Sequence, residues 1–278
     1  MRNLDNELKK LIEFAESNDN IRALVLQGSY VNTNAPIDDF SDLDPLFYCN
    51  DVTEFTSTNE WKSYFGNVIS FFSDEWGEED AKAYTRLTIY DDGFKIDFGF
   101  QDVSLAKNAN DMQLYKVYLD KDNIVPKPEV TDERKFYIKK PLEQEFQDIL
   151  RDFFFDSSYV VKTIYRDEIT FNQYMMYILH KKINSLLSWY VGTKHDFKVN
   201  VGVYNRYIKQ YLTKDEWNML QETYSSGDKE EVYNALLSSF DFVRYLGLRI
   251  AEKLNFDYPM KHDQDMLDYC KKIKQEYL

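Results

Sequence analysis

Three aspartates and one Gly-Ser pair carry the chemistry that can be read from this chain. Gly28-Ser29 closes a strand-like run, and Asp42-Leu43-Asp44 opens the next one after a polar loop. In an extended strand, residues i and i+2 point to the same side, so Asp42 and Asp44 present two carboxylates on one face. Such a pair repels itself unless a cation lies between its members. Mg²⁺ takes hard oxygen ligands and commonly bridges carboxylates to substrate phosphates. A third carboxylate, Asp97, sits in Lys95-Ile96-Asp97-Phe98, where its apolar neighbours face the opposite way. If that strand lies beside the Asp42 strand, Asp97 completes a metal site or takes a proton from an attacking hydroxyl. Gly28 lets backbone N–H groups approach a phosphate closely, and the Ser29 hydroxyl adds a donor. Singly, each feature reads equally well as a turn or exposed strand residue. Together they predict Mg²⁺-dependent nucleotidyl transfer, with Asp42, Asp44 and Asp97 as metal ligands and catalytic groups.

The elements that must hold these residues follow from local patterning. Apolar groups at helical spacing predict a helix over Asn3–Ser17, and Ile21–Gln27 reads as the strand ending at Gly28. Leu43–Cys49 reads as a second strand, in which Pro45 cannot donate a ladder hydrogen bond and so suggests a sheet edge or a bulge. Thr53–Gly66 reads as helix and Val68–Phe72 as strand. Tyr84–Tyr90 and Phe94–Phe100 alternate around Asp91-Asp92-Gly93, the pattern of a hairpin with glycine at its turn. Lys116–Leu119 can add a short strand. Around Pro126–Pro141 the character changes, and from Leu142 the pattern is helical. Candidates are Glu143–Asp156, Tyr159–Ile169, Asn172–Tyr190, Tyr204–Tyr211, Lys214–Tyr224, Lys229–Asn255 and Asp263–Tyr277. The expected fold is α+β: residues 1–135 form a domain of mixed β-sheet and helices, and residues 136–278 an all-helical domain.

Bulk properties narrow the function classes. The 278 residues are 44% apolar, enough for a real core, and carry a net charge of −14. The charge is uneven, with 27 Asp and Glu against 16 Lys and Arg in residues 1–140. An acidic N-terminal half repels phosphate backbones, which argues against nucleic acid as partner, and attracts a cationic small molecule. The two cysteines, Cys49 and Cys270, show neither metal spacing nor a disulfide framework. There is no signal-peptide pattern and no apolar run long enough to span a membrane, so the expected location is the cytoplasm and no membrane partner is expected. His180, His195 and His262 are scattered and receive no metal role.

The residues also carry a family resemblance. Gly28-Ser29-Tyr30-Val31-Asn32-Thr33-Asn34-Ala35-Pro36, followed by Asp38-Asp39-Phe40-Ser41-Asp42-Leu43-Asp44, resembles the aminoglycoside 6-adenylyltransferases, or streptomycin adenylyltransferases, of the DNA polymerase β-like nucleotidyltransferase superfamily. The likeness continues through Asp120-Lys121-Asp122, Tyr137–Pro141, Ser158–Lys162, Arg166–Ile169, Lys209–Leu212 and Glu216-Trp217. It implies a nucleotidyltransferase domain followed by a helical substrate- and nucleotide-binding domain. It also implies transfer of AMP from Mg·ATP to a hydroxyl of a streptomycin-type aminoglycoside, with release of pyrophosphate and antibiotic resistance. By the same resemblance Asp42 and Asp44 bind Mg²⁺, Asp97 is the general base and touches the acceptor, and Gly28 and Ser29 contact phosphate. Lys162 and Arg166, four residues apart on one helix side, would clamp the ATP phosphates, and Glu168 would meet the cationic acceptor. The chain departs from the family pattern at Tyr30, Leu43 and Pro45, and at Tyr174 and Met175, where the family carries an Asp-His pair. Those last departures leave two alternatives: another acceptor, such as a protein side chain or a different small molecule, or a non-catalytic nucleotide-binding relative.

Overall fold

A computed structural model describes residues 2–277, apart from Thr33, Asp80, Ala81, Gln113, Val130 and Thr131. Thr33, part of the Gly-Ser motif, therefore lies outside the described residues. The chain divides into two compact units, Met1–Lys135 and Phe136–Leu278.

The first unit is a mixed six-stranded sheet. Its strands are β1 (Ile21–Gln27), β2 (Asp44–Cys49), β3 (Val68–Trp76), β4 (Ala83–Tyr90), β5 (Lys95–Asp102) and β6 (Tyr115–Asp120), in the order β3-β4-β5-β2-β1-β6. The helix α1 (Leu4–Ser17) starts where the Asn3 side chain accepts from the Asn6 N–H, the usual way a short polar side chain satisfies an orphan donor. Period-2 alternation sorts the strands between two cores. Leu24, Leu26, Phe47, Ile96, Phe98 and Phe100 join α1 in one, while Ala23, Val25, Leu46 and Tyr48 pack on the opposite face. β4 and β5 form the antiparallel hairpin expected from the alternation, with Gly93 at φ +82° in its turn.

β2 pairs with β1 antiparallel and with β5 parallel, so Pro45 sits on an inner strand, neither at an edge nor in a bulge. The sequence expectation is corrected here for a simple reason. Parallel pairing with β5 consists of one bridge, Leu43↔Ile96, and then a ladder from Leu46↔Gly99. Pro45 falls in the gap: its nitrogen faces β5 with no hydrogen to donate, so one ladder bond is lost there while the register does not change. The expected helix Thr53–Gly66 is also broken. α2 covers only Thr53–Thr56, and Glu60–Phe65 is a 3₁₀ turn. The polar run between them supplies the break, with Ser57 Oγ turned back onto the Thr53 carbonyl at 2.6 Å.

The second unit is helical: α3 (Glu143–Tyr165), α4 (Ile169–Lys194), α5 (Lys214–Glu222), α6 (Lys229–Leu254) and α7 (Met260–Tyr277). α3 is one helix where the sequence suggested two. The two expected ranges left out Ser157 and Ser158, but the Ser157 hydroxyl donates to the Phe154 carbonyl at 2.6 Å and both serines are absorbed into the buried face. Tyr204–Tyr211 is not a helix but two 3₁₀ turns, because Tyr204 and Asn205 adopt φ of 54° and 61°. The core is built from apolar stripes on α3, α4 and α6, with Phe153, Phe154 and Phe240 fully buried. Among the described residues, no helix is long and apolar enough to cross a membrane. Cys49 and Cys270 are both free and buried.

One polar lock in this unit yields a stability prediction. Asp263 at the start of α7 is fully buried and accepts from Arg244 Nε and Nη2 at 2.7 and 2.8 Å and from the Tyr258 hydroxyl at 2.7 Å. Removing one partner of such a pair leaves the other charge stranded in the interior. Asp263→Ala is expected to cost about 3–5 kcal/mol, read as a lowered urea midpoint of the helical unit's far-UV signal. A change below about 1 kcal/mol would mean that Arg244 simply turns to solvent.

Candidate active site

The strand ladder itself assembles the acidic cluster. Gln27, the last residue of β1, pairs with Asp44, the first of β2. The offset between β2 and β5 is constant on both sides of Pro45, so Asp44 lies level with Asp97 and Asp42 level with Lys95. The Asp97 N–H donates to the Leu43 carbonyl at 2.9 Å, fixing the two strands where the carboxylates begin. Leu43, Ile96 and Phe98 are fully buried on the opposite face. Alternation then turns Asp42, Asp44, Lys95 and Asp97 together to the other side. Asp42, Asp44 and Asp97 are thus brought together as the spacing suggested.

Gly28 is part of the same construction. Its backbone stands at φ 76° and ψ −159°, a region open essentially to glycine alone. A Cβ there would lie 2.0 Å from Asp44 Oδ2, so the missing side chain is what admits the Asp44 carboxyl. Ser29 then begins a 3₁₀ turn, Ser29–Val31, closed by the Asn32 N–H on the Ser29 carbonyl at 3.1 Å. Tyr30, where the family pattern has arginine, donates its hydroxyl to Asp5 on α1 and so ties this turn to the first helix. The loop before Asp42 is held by its own turn chemistry: Asp38 Oδ1 accepts from the Phe40 N–H at 2.9 Å, and Ser41 Oγ from the Asp38 N–H at 2.8 Å.

Lys95 is the residue that sequence reasoning missed. Its ammonium lies 2.5 Å from Asp97 Oδ2 and 3.3 Å from Asp42 Oδ2, a cation set inside the acidic cluster. The signal was available, since Lys95 is two residues from Asp97 and so on its face. Asp97 keeps its second oxygen, Oδ1, shielded from solvent and without a hydrogen-bond partner among the described residues.

The electrostatics follow from this crowding. Burial pushes the Asp44 carboxyl up to about 7, the charges of Asp42 and Asp97 push the same way, and Lys95 opposes them. Asp97 is also raised, first by burial and then by Asp42, against the hydrogen bond and charge of Lys95. Lys95 is partly desolvated, yet its carboxylate partners hold it above the usual lysine value. The cluster is therefore short of positive charge at Asp44 and at the free Asp97 oxygen. Hard oxygen donors in that state suit a divalent cation such as Mg²⁺. They do not form a ready cage: among the described residues, no three His, Cys, Asp or Glu side chains converge as a metal site.

The other expected site residues belong to the helical unit. Lys162 is exposed on α3, its Nζ 5.3 Å from the Tyr159 ring centroid, and Arg166 caps the helix C-terminus with its N–H on the Lys162 carbonyl at 3.1 Å. Both side chains are exposed. Glu168 precedes α4, and its carbonyl accepts from the Asn172 N–H at 2.8 Å. Tyr174 is 56% exposed and stacks on Phe171, whereas Met175 points into the core at 6% exposure. Met175 thus takes no part in any surface that meets a ligand.

Acidic groups gathered on neighbouring strands beside a glycine turn, together with the family match over nearly the whole chain, define the class as nucleotidyltransferase. A family model described as streptomycin adenylyltransferase matches residues 1–273, and the chain belongs to that family. Three curated relatives are each called aminoglycoside 6-adenylyltransferase. The Staphylococcus aureus protein is 30% identical, covering 93% of this chain and 94% of its own. The Campylobacter jejuni protein is 29% identical over 96% and 94%, and the Bacillus subtilis protein 28% identical over 98% of each. A crystal structure of an aminoglycoside 6-adenyltransferase from Bacillus subtilis aligns over 99% of both chains, at 24% identity and a TM-score of 0.49.

Proposed function

We propose that this enzyme transfers AMP from Mg·ATP to a hydroxyl of a streptomycin-type aminoglycoside and releases pyrophosphate. The observation that carries the reading is the Asp44 carboxyl pressed against Gly28, with Asp42 and Asp97 beside it. Asp42, Asp44 and Asp97 would hold Mg²⁺, which supplies charge neutralisation at the triphosphate and polarises the reacting oxygens. The open backbone at Gly28 and the Ser29 hydroxyl would orient the phosphates. Lys162 and Arg166 would contribute positive charge from the helical unit, residues 136–278, and Glu168 would face the cationic acceptor. Asp97 Oδ1, buried and without a partner among the described residues, would take the proton from the acceptor hydroxyl. As that O–H bond breaks, the hydroxyl oxygen bonds to the α-phosphorus, the α–β phosphoanhydride bond breaks, and pyrophosphate leaves. The negative charge of residues 1–135 favours a polycationic acceptor by long-range attraction that weakens with salt.

A panel of aminoglycosides incubated with Mg·ATP and read by mass spectrometry is expected to show one added AMP on streptomycin and no other covalent change. Expression in a sensitive host is then expected to confer resistance to the modified drug. A second reading rests on Tyr174 and Met175, which offer no acid where the family has one. In that reading the acceptor is another small molecule or a protein side chain. ATP-dependent AMP incorporation into host protein, with every aminoglycoside unmodified, would select it.

A further inference from the structure

Lys95 sets a positive charge inside the cluster that the proposed reaction would load with a divalent cation. It is the first residue of β5, paired with Ile89 across the β4–β5 hairpin, and alternation sets it on the same face as Asp97. Its ammonium bridges two carboxylates, lying 2.5 Å from Asp97 Oδ2 along its own strand and 3.3 Å from Asp42 Oδ2 beside it. Asp44 feels the same charge without a hydrogen bond to it.

A fold-stabilising role accounts poorly for this placement. The side chains of Lys95, Asp42 and Asp97 are 37%, 31% and 20% exposed, and ion pairs open to water to that degree add little stability. The same charge acts strongly on another cation. Repulsion scales with the product of the charges, so an ammonium a few ångströms from a divalent ion opposes it twice as strongly as it would oppose a second lysine. The ammonium also engages one oxygen on each of two carboxylates that a bound metal would draw on. Asp42, Asp44 and Asp97 share one face, yet among the described residues no three carboxylates converge as a metal site. Two of the three are turned to an ammonium instead.

Lys95 is placed to leave this position. It stands at the start of β5, just after the turn at Asp91-Asp92-Gly93, and its flexible four-carbon stem leaves more than a third of the side chain in water. The Gly28 turn lies directly against Asp44, so phosphate oxygens held there would offer the ammonium other partners. The charge of a triphosphate would then offset that of Lys95, and the nucleotide would admit the divalent cation.

We propose that Lys95 is a resident counter-ion that a divalent cation must displace from Asp42 and Asp97, which makes metal entry depend on the nucleotide. This role rests on the reading of Asp42, Asp44 and Asp97 as the metal site. Mn²⁺ is the probe, followed by the EPR signal of the free ion over the full-length protein without nucleotide. Lys95→Gln removes the charge and keeps an N–H donor for Asp97, and it is expected to bind Mn²⁺ at least about tenfold more tightly than the parent. Lys95→Met makes the same charge change and serves if Lys95→Gln folds poorly. Lys95→Arg keeps the charge and should bind like the parent. The gap between parent and neutral variant should narrow when Mn²⁺ is delivered as its complex with α,β-methylene-ATP, which has no cleavable α–β bond, and binding is read by calorimetry. The proposal is overturned if both neutral variants bind Mn²⁺ no more tightly than the parent, if Lys95→Arg binds it as tightly as Lys95→Gln, or if the gap is the same for the nucleotide complex. Asp44→Asn tests the metal site separately, since it should weaken Mn²⁺ binding in the parent and in Lys95→Gln alike. If it does so while Lys95→Gln gains nothing, the counter-ion role alone falls. If Asp44→Asn changes nothing in either background, the metal site falls and takes the counter-ion role with it.

Discussion

Asp44→Asn is expected to abolish AMP transfer and, at the same time, to stabilise the metal-free protein at pH 8. The loss of activity should reach a thousandfold or more in kcat/KM, about 4 kcal/mol of transition-state stabilisation. The proposed ligand charge is then gone while the shape remains. The gain in stability has the opposite origin. Asp44 is pushed up to about 7 by burial and by the neighbouring Asp42 and Asp97. A carboxyl whose folded pKa is raised is free of penalty below its unfolded value, because both states are then protonated. As pH rises from the ordinary aspartate value of 3.8 toward about 7, the unfolded chain releases its proton and the folded one resists, so stability falls. Above about 7 the penalty is complete, on the order of 2 kcal/mol after allowance for relaxation of the cluster. Asparagine carries no such penalty. Urea unfolding in a chelator should therefore show Asp44→Asn more stable than the parent at pH 8, and a smaller difference at pH 5. Added Mg²⁺ should reverse the order by stabilising only the parent. Asp42→Asn should also lose activity. Full activity in both variants would remove these residues from the metal site, and an unchanged difference between pH 5 and pH 8 would remove the electrostatic cause.

How much of this was legible in advance depends on the period of each element. Strands repeat every two residues, so the faces of β2 and β5 were readable from Leu43, Ile96 and Phe98 against Asp42, Asp44 and Asp97. What brings the two strands side by side is a parallel crossover through β3 and β4, and no local pattern specifies such a pairing. Pro45 reads locally as an edge or bulge residue because it cannot donate, yet the inner strand tolerates the one ladder bond lost toward β5 and the ladder resumes one residue later in the same register. Lys95 was overlooked although the same alternation that exposed Asp97 put it on the acidic face. α3 reads in sequence as two helices separated at Ser157-Ser158, yet Ser157 returns its hydroxyl to the helix's own carbonyl. The left-handed pair Tyr204-Asn205 carries no glycine, so nothing local announced it. The candidate catalytic groups were thus legible as residues, whereas the geometry that couples them was set by long-range pairing.

Gly28→Ala is expected to damage both stability and transfer, and a matched control shows why. Two separate terms oppose it. The backbone at φ 76° and ψ −159° lies where a side chain costs on the order of 1–3 kcal/mol. The new Cβ would also sit 2.0 Å from Asp44 Oδ2 and 2.7 Å from its Cγ. That clash cannot be absorbed by Gly28, whose position follows directly from the end of β1. Asp44 would have to move, and with it the carboxyl at the centre of the proposed site. Gly93 isolates the first term, because it too has positive φ, at +82°, but a Cβ there meets nothing within 4 Å. Gly93→Ala should cost about 1 kcal/mol in urea unfolding and leave AMP transfer near the parent rate. Gly28→Ala should cost about 3 kcal/mol or more and lower transfer by at least a hundredfold. Adding Asp44→Ala to Gly28→Ala removes the atoms that clash, so the double variant should recover part of the stability lost by Gly28→Ala, with no recovery of transfer. Equal stability losses in Gly28→Ala and Gly93→Ala would show that the turn, and not the carboxyl against it, requires the glycine.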